Sequence, residues 1–482
     1  MHTIQPRALL WLAPLILLFE IAIRPVYEPD LFFYFALIER YLTLGSWPTL
    51  DPFLFTLPND APMTLHQWFG YWTLYLPYLA LGWAGPILLK TVLTIAFFTL
   101  PLIPFWFARR LPPTYFVLAW SVALFVAHHR IRERVSLWGD LFALALCAGL
   151  LWAHDKKWFW QSLPLGFLLW AQIHPSYPLG FAILLLYGLC EFSLLRKSGY
   201  WKYALLCVPA TMIHPLFLEG FLYPFTFSWE VEPYLSQHVM EWLPLWDERI
   251  FPYTFLYIPL VTFIPWLFIR FFQLPTPRRI FTLVLFGLAC ALMLKSVRFG
   301  MLAQGLFLLL LTDQEQTRPL SVNSLISVLA AALCVLGVGF KVLKSPSLRR
   351  PLSQLVSLDP VRLPLEAAET LKKANPQMPI FNSFAYGGYL AWRWQGQPPI
   401  FFHGFSTNFK FYEENYLEPM TSAQALEKLI AKYDLGIFLL TKTGYDGDYI
   451  ELLSQNTGWQ LMYEDAGSMI FIKRDPRVFE QK

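Results

Sequence analysis

"VYEPDLFFYFALIERYLTLGSWPTLDPF", residues 26–53, follows the first apolar run of the chain and sets four carboxylates, Glu28, Asp30, Glu39 and Asp51, among aromatic side chains. An ionised carboxylate beside a hydrocarbon layer is costly unless it is paired or put to use. The rest of the chain supplies that layer. Of its 482 residues 56% are hydrophobic, 18% aromatic and only 15% charged, and the mean hydropathy is +0.44. A water-soluble domain cannot cover so much apolar surface with so few charges. The sequence therefore reads as an α-helical polytopic membrane protein. A formal net charge of +4 is small for this length and gives no case for nucleic acid. Five cysteines (Cys147, Cys190, Cys207, Cys290, Cys334) all fall inside apolar stretches without metal-ligand spacing, as buried small hydrophobes do.

Arg7 and the apolar run from Ala8 resemble a signal peptide. No small-x-small cleavage site follows and Arg24-Pro25 closes the run, so an uncleaved first span over 8–23 is expected. Further spans are expected near 87–107, 114–127, 138–153, 158–173, 177–194, 201–217, 251–272, 280–294, 299–312 and 321–342. The stretch 68–82, "WFGYWTLYLPYLALG", is apolar but short and split by Pro77. Charge settles its place, because cytoplasmic loops collect Lys and Arg. If 68–82 lies flat as an interfacial helix, Arg7, Arg109-Arg110, Lys156-Lys157, Arg196-Lys197 and Arg278-Arg279 share the cytoplasmic side. The expected topology is about 11 transmembrane helices plus that interfacial helix, with the N-terminus cytoplasmic and the C-terminus outside. Residues 1–342 form the transmembrane domain, with 24–67 as its first outer loop. Residues 343–482 are more polar and predict a small extracytoplasmic α/β domain. In it "MPIFNSF" and "LGIFLL" read as buried strands, "SAQALEKLIAKY" as an amphipathic helix, and "WQLMYEDAGSMIFIKR" as a hairpin around Asp465-Ala466-Gly467.

The outer face gathers the unusual residues. Asp30 follows Pro29 at the outer end of the first span, where it reads either as a base or metal ligand or as the N-cap of "DLFFYFALIERYL". Asp51 precedes a proline, with a turn-capping side chain as its plain alternative, and His66 precedes the interfacial helix. "HHRIRERVS" (128–136) places His128, His129, Arg130, Arg132 and Arg134 outside, against the positive-inside trend. A misplaced cationic cluster asks for an anionic partner, and Arg binds two phosphate oxygens at once; the plain alternatives are a wrongly assigned topology and pairing with Glu133 or with lipid heads. "KSVRFG" adds Lys295 and Arg298 on the same side. Glu230, Glu232, His238, Glu241, Asp247 and Glu248 crowd the loop 218–250, and His174 and His214 each precede a proline. Acids, histidines and arginines converging on one membrane face suit a reaction on a lipid phosphate. No GxxxxGK[ST], HExxH or GxSxG occurs, and "YGGY" (386–389) reads as a turn into "YLAWRW".

This arrangement resembles the GT-C superfamily of membrane glycosyltransferases, which carry an acid in the first outer loop just after the first span. Asp30 matches that acid. More narrowly, "PDLFFYF" (29–35), "GSWPTLDPFLF" (45–55), "HQWF" (66–69), "MEWLPLW" (240–246), "FNSFAYGGYLAWRW" (381–394) and "IFFHGFSTNF" (400–409) resemble a group of bacterial GT-C-like membrane proteins, in order along nearly the whole chain. The departures are Phe33 or Tyr34 where that group has His, Gln67 where it has Glu, Val135 where an Arg-Pro pair is common, and His214-Pro215 in place of Asn-Pro.

The resemblance implies a glycosyltransferase of the bacterial inner membrane. It would move a sugar from a polyprenyl-phosphate carrier to an extracytoplasmic glycan, lipid or protein. On that expectation Asp30 is the base or acceptor orienter, with Asp51 and Glu241 as helpers. His66, Arg132, Arg134, His174 and Arg298 bind substrate. A divalent metal, Mg²⁺ or Mn²⁺, has Asp30, Asp51 and His66 as candidate ligands. A non-catalytic scaffold binding protein partners through 343–482 is the alternative. A transporter is third, because ionisable residues sit at one face and not at mid-membrane.

Overall fold

The protein is described by a computed structural model covering residues 12–22, 24–57, 65–109, 111–250, 276–315, 351–405, 409–442, 444 and 446–479. The expected spans near 251–272 and 321–342, and the domain boundary at 343, lie outside the described residues. The chain forms two compact units. One comprises Met1–Arg24, Leu65–Thr73 and Gly85–Leu355, the other Pro25–Thr64, Leu74–Ala84 and Val356–Lys482.

The first unit is a helical bundle. Its described helices follow the apolar segments, including Leu12–Ala22, Ala84–Thr99, Thr114–Ala127, Ser136–Trp152, Lys157–Ile173, Trp201–Met212, Thr276–Lys295 and Gly300–Glu315. Among the described residues only Ala84–Phe107, mean hydropathy 1.9, is both long and apolar enough to cross a membrane. Two bent pairs raise that to three if each is one span: Tyr177–Cys190 with Phe192–Ser198 at 93°, and Trp201–Met212 with Phe217–His238 at 102°. The described residues thus do not reach the expected 11. Most helices fall short of the ~20 residues a straight span needs, because prolines and polar turns cut the apolar runs. The core packs Leu93, Phe97, Phe98, Phe116, Leu144, Cys147, Leu306 and Phe307. Gly305 admits Phe97, whose ring would lie 2.4 Å from an added Cβ.

Residues 218–250 are not the open loop their prolines and acids suggested. Phe217–Thr226 runs through a π turn, Phe227–Val231, into Glu232–His238. Pro224 cannot donate to the carbonyl of Gly220, one turn earlier. The Tyr177 hydroxyl approaches that carbonyl at 3.4 Å and donates to the Phe221 carbonyl at 2.6 Å. A hydroxyl from another helix thus makes the proline tolerable.

The second unit is built on a four-stranded sheet in the order β1-β2-β4-β3: β1 Ile380–Asn382, β2 Ile437–Thr441, β3 Trp459–Glu464 and β4 Ser468–Lys473. β1 and β2 are parallel, and β4 is antiparallel to both β2 and β3. The expected strands, hairpin and amphipathic helix are all present. Ser422 caps the helix Ala423–Tyr433 by accepting from the Ala425 N–H, and Asp465 holds the hairpin turn through the N–H groups of Gly467 and Ser468.

First-loop residues complete this unit. The helix Pro29–Leu44 buries Leu31 to Ile38 continuously and packs against the helix Gly387–Trp394. The glycine pair is more than a turn. A Cβ on Gly388 would stand 2.2 Å from the Pro29 carbonyl oxygen, and one on Gly387 2.3 Å from that of Phe402. Only glycine lets these backbones approach so closely. Isolated bridges Val26↔Leu358 and Leu54↔Ile400 fasten the two ends of the loop. Gly388→Val is therefore expected to destabilise this unit by about 1–3 kcal/mol, read as a lower unfolding temperature in detergent. Val at Gly287, where an added Cβ meets nothing within 4 Å, should change the temperature far less.

Candidate functional site

In the first unit, three arginines meet one carboxylate. Glu241 sits in the single turn Met240–Trp242 after the π-containing helix. Its Oε2 accepts from Arg130 Nη1 at 2.6 Å and Arg134 Nη1 at 2.7 Å, and its Oε1 accepts from Arg298 Nη1 at 3.1 Å. The turn is held in place from its back. Ser296 Oγ donates to the Glu241 carbonyl at 2.9 Å and accepts from the Arg298 N–H at 3.1 Å. Backbone bonds Leu245 N–H to Leu294 and Val297 N–H to Leu243 clamp "MEWLPL" against "KSVRF". The Arg298 guanidinium lies over the Trp242 ring at 4.2 Å, a cation–π contact.

Electrostatics follow from this geometry. Burial alone would raise the Glu241 carboxyl, but Arg134, Arg130 and Arg298 outweigh it and hold it well below its usual range. Burial pulls the Arg130 guanidinium down to about 10, with Glu241 opposing, so it stays charged at neutral pH. Arg130 Nε is buried without a hydrogen-bond partner among the described residues. Burial, then the charge of Arg130, draws His129 down to about 4. His174 is held well below its ordinary value by burial and by the charges of Arg298, His66 and Arg130. Its Nδ1 meets Ser176 Oγ at 2.8 Å. Asp140, one turn into Ser136–Trp152, is close enough to Arg130 and Arg298 to feel both charges. Glu133 does not pair with these arginines. It forms a buried ion pair with Lys90 at 2.6 Å, tying the "HHRIRERVS" turn to the helix Ala84–Thr99.

His66 belongs to the same neighbourhood. Its ring stacks on Tyr223 at 3.9 Å and 10°. Trp68 positions it by donating from Nε1 to Gln172 Oε1 at 2.8 Å, and Gly70 allows the chain to lie against the Ile173 carbonyl. Of the expected substrate-binding set, His66, Arg134, His174 and Arg298 thus interact with one another or with Glu241. Arg132 is half-buried and its charge reaches His129. Arg130, already read as part of the outer cationic cluster, joins the group, and Asp140, Ser296 and Trp242, which were not singled out from sequence, complete it.

The carboxylates of the opening stretch belong to the second unit. Asp30 lies in the first turn of Pro29–Leu44, half-buried, while Glu28 occupies the N-cap position. The N-cap alternative for Asp30 is thereby corrected: the cap lies two positions earlier, at Glu28. Pro29 takes the first helical place, as its fixed φ favours, and moves the cap back by two residues. An anion in a first helical turn is favoured by the helix dipole. Glu39 accepts from Trp392 Nε1 and Gln395 Nε2, both at 2.9 Å.

Asp51 is fully occupied. Oδ1 accepts from the N–H groups of Phe53 (2.9 Å) and Leu54 (3.3 Å), and Oδ2 from His403 Nε2 (2.6 Å). The Phe405 N–H donates to His403 Nδ1 at 3.1 Å, so the imidazole proton sits on Nε2, facing Asp51. Asp51 holds the turn its plain alternative described and joins it to the C-terminal segment. No group of three or more His, Cys, Asp or Glu able to hold a metal occurs among the described residues. Both Asp51 oxygens already accept hydrogen bonds within the protein.

No family model matches the chain, and no curated protein is significantly similar to it. Solved structures are similar in fold. ArnT from Cupriavidus metallidurans in the apo state matches over 98% of both chains, with a TM-score of 0.50 and 12% identity. The same protein bound to undecaprenyl phosphate matches over 98% of this chain and 99% of that one, at 0.51 and 12%. The Archaeoglobus fulgidus oligosaccharyltransferase in the apo form matches over 99% of this chain and 75% of that one, at 0.53 and 10%. At these identities the likeness shows the fold alone: a mostly helical fold with a small sheet, shared with these structures.

Two outcomes follow. Glu241→Ala leaves three guanidiniums to repel one another and should cost about 2–4 kcal/mol, discounted from a fully buried pair because the Glu241 side chain keeps 27% exposure; thermal unfolding of the purified protein measures it. For Asp51, burial alone would raise the carboxyl, but His403 and the two N–H groups outweigh it and lower it. A carboxyl lowered on folding adds stability above its unfolded value, near 4, that is lost as pH falls through the folded value. Asp51→Asn should lower stability at pH 7 by about 1–3 kcal/mol and, relative to the parent, flatten the fall of unfolding temperature below about pH 4.

Proposed function

We propose that this protein is a GT-C-type glycosyltransferase acting on a polyprenyl-phosphate-linked sugar, with the arginines around Glu241 as its phosphate site. The observation that carries the reading is the convergence of Arg130, Arg134 and Arg298 on a single carboxylate. Among the described residues, three guanidiniums share one carboxylate, a local excess of cationic groups. The buried Arg130 Nε adds a donor that wants an acceptor. Likeness in fold to a structure bound to undecaprenyl phosphate supports the same donor class.

The chemistry uses that surplus differentially. The acceptor hydroxyl oxygen attacks the anomeric carbon while the bond from that carbon to the phosphate oxygen breaks. The bonding pair leaves with the polyprenyl phosphate, which gains one negative charge, and the hydroxyl proton passes to a base. Charge thus grows on the phosphate in the transition state, and cations fixed beside it stabilise that state more than the bound donor. Asp30 is assigned the base. Glu241, held ionised by three arginines, is a poor proton acceptor, and Asp51 is closed off by His403; both position other groups. The acceptor is an extracytoplasmic glycan, lipid or protein.

The experiment is sugar release from an undecaprenyl-phosphate-linked donor by purified protein in lipid. Asp30→Asn should lower kcat by about 10²–10⁴. Arg298→Ala should lower kcat/KM by about 10²–10³. Equal turnover by parent and Asp30→Asn removes Asp30 from the chemistry. No donor turnover or binding by the parent overturns the reading.

A further inference from the structure

The helix Phe217–His238 carries a surface that the reaction does not use. It turns 102° from Trp201–Met212, an apolar helix of the bundle. In a membrane protein, a helix near a right angle to a spanning direction runs along the membrane plane. Leu218, Leu222, Phe225 and Trp229 follow at steps of four, three and four residues, so they form one stripe. All four are exposed, Trp229 by 86%. The opposite face meets the charged group: Tyr223 stacks on His66, and Phe227 lies 5.9 Å from Trp242, which carries Arg298.

The helix's charges narrow the partner. Residues 217–238 contain Glu219, Glu230 and Glu232 and no Lys or Arg. Helices that bind anionic lipid use a basic polar face, and this one has none. Glu232 pairs with Lys295 at 2.5 Å, while Glu219 and Glu230 flank the stripe and are exposed. Burial of apolar surface alone must hold such a helix on lipid.

We propose that Phe217–His238 lies in the membrane surface, with the Leu218–Leu222–Phe225–Trp229 stripe among the acyl chains of zwitterionic lipid and its other face bordering the arginine group. The proposal needs no sugar donor and stands or falls separately from the glycosyltransferase reading.

The test uses the full chain, with its natural cysteines replaced, in vesicles of phosphatidylcholine with and without phosphatidylglycerol. Spin labels are placed by Leu222→Cys, Trp229→Cys, Glu219→Cys and Glu230→Cys, one at a time. Collision with oxygen, which concentrates in lipid, is compared with collision with a water-soluble nickel chelate. The oxygen-to-nickel ratio at 222 and 229 should exceed that at 219 and 230 several-fold, and phosphatidylglycerol should not raise it. Equal ratios at all four positions place the helix in water and overturn the proposal. Shielding of 222 and 229 from both reagents shows a protein partner on the stripe and overturns it as well. A ratio that rises only with phosphatidylglycerol overturns the choice of lipid.

Discussion

One carboxylate organises the first unit. Arg130 and Arg134 come from a turn between helices, Arg298 from another turn more than 160 positions later, and like charges do not gather at a buried site unaided. Glu241 makes the gathering possible because its two oxygens can be shared. The price of that arrangement is an imperfect balance: one anion cannot cancel three cations. Around it the protein makes neighbouring groups neutral, as with His129 at about 4, or binds them elsewhere, as Glu133 is bound by Lys90.

The second unit is organised by close approach and not by charge. Gly388 lets two helices touch backbone to backbone, Gly387 lets its helix meet the backbone at Phe402, and eight consecutive buried residues of the first loop pack in the same unit. Asp51 and His403, 352 positions apart, are both almost fully buried and joined by one short hydrogen bond. A buried pair of this kind contributes little net stability against an apolar replacement, but losing one partner is costly. It therefore fixes register: the turn at Asp51 cannot slide without leaving an unsatisfied charge. The first loop, which belongs to the membrane half by position in the sequence, is part of the C-terminal unit by packing.

The sequence made some of this legible and hid the rest for physical reasons. Strands, hairpin and helix beyond residue 350 were visible because local periodicity and turn chemistry decide them. The cationic cluster was visible because it broke the positive-inside trend. Its partner within the protein was not legible, since nothing local to Glu241 shows that three guanidiniums surround it. The Lys90–Glu133 pair joins a span to a turn 43 positions away, and no local pattern announces such a contact. The helix Phe217–His238 was read as part of an outer loop, and Pro224 is an ordinary helix breaker. What rescued it is a hydroxyl from Tyr177, again distant in sequence.

Those failures share a cause that bears on function. Sequence patterns report what a residue prefers alone, while a site is made of residues that would be unfavourable alone. Arg130, buried and short of one partner, is tolerable only beside Glu241, and Glu241 is tolerable only beside its arginines. Such mutually dependent groups tend to be kept where the imbalance serves a charged ligand, because an apolar core would be at least as stable. In a chain with 15% charged residues, four charges brought to one place from three turns are better explained by what they bind than by what they hold together.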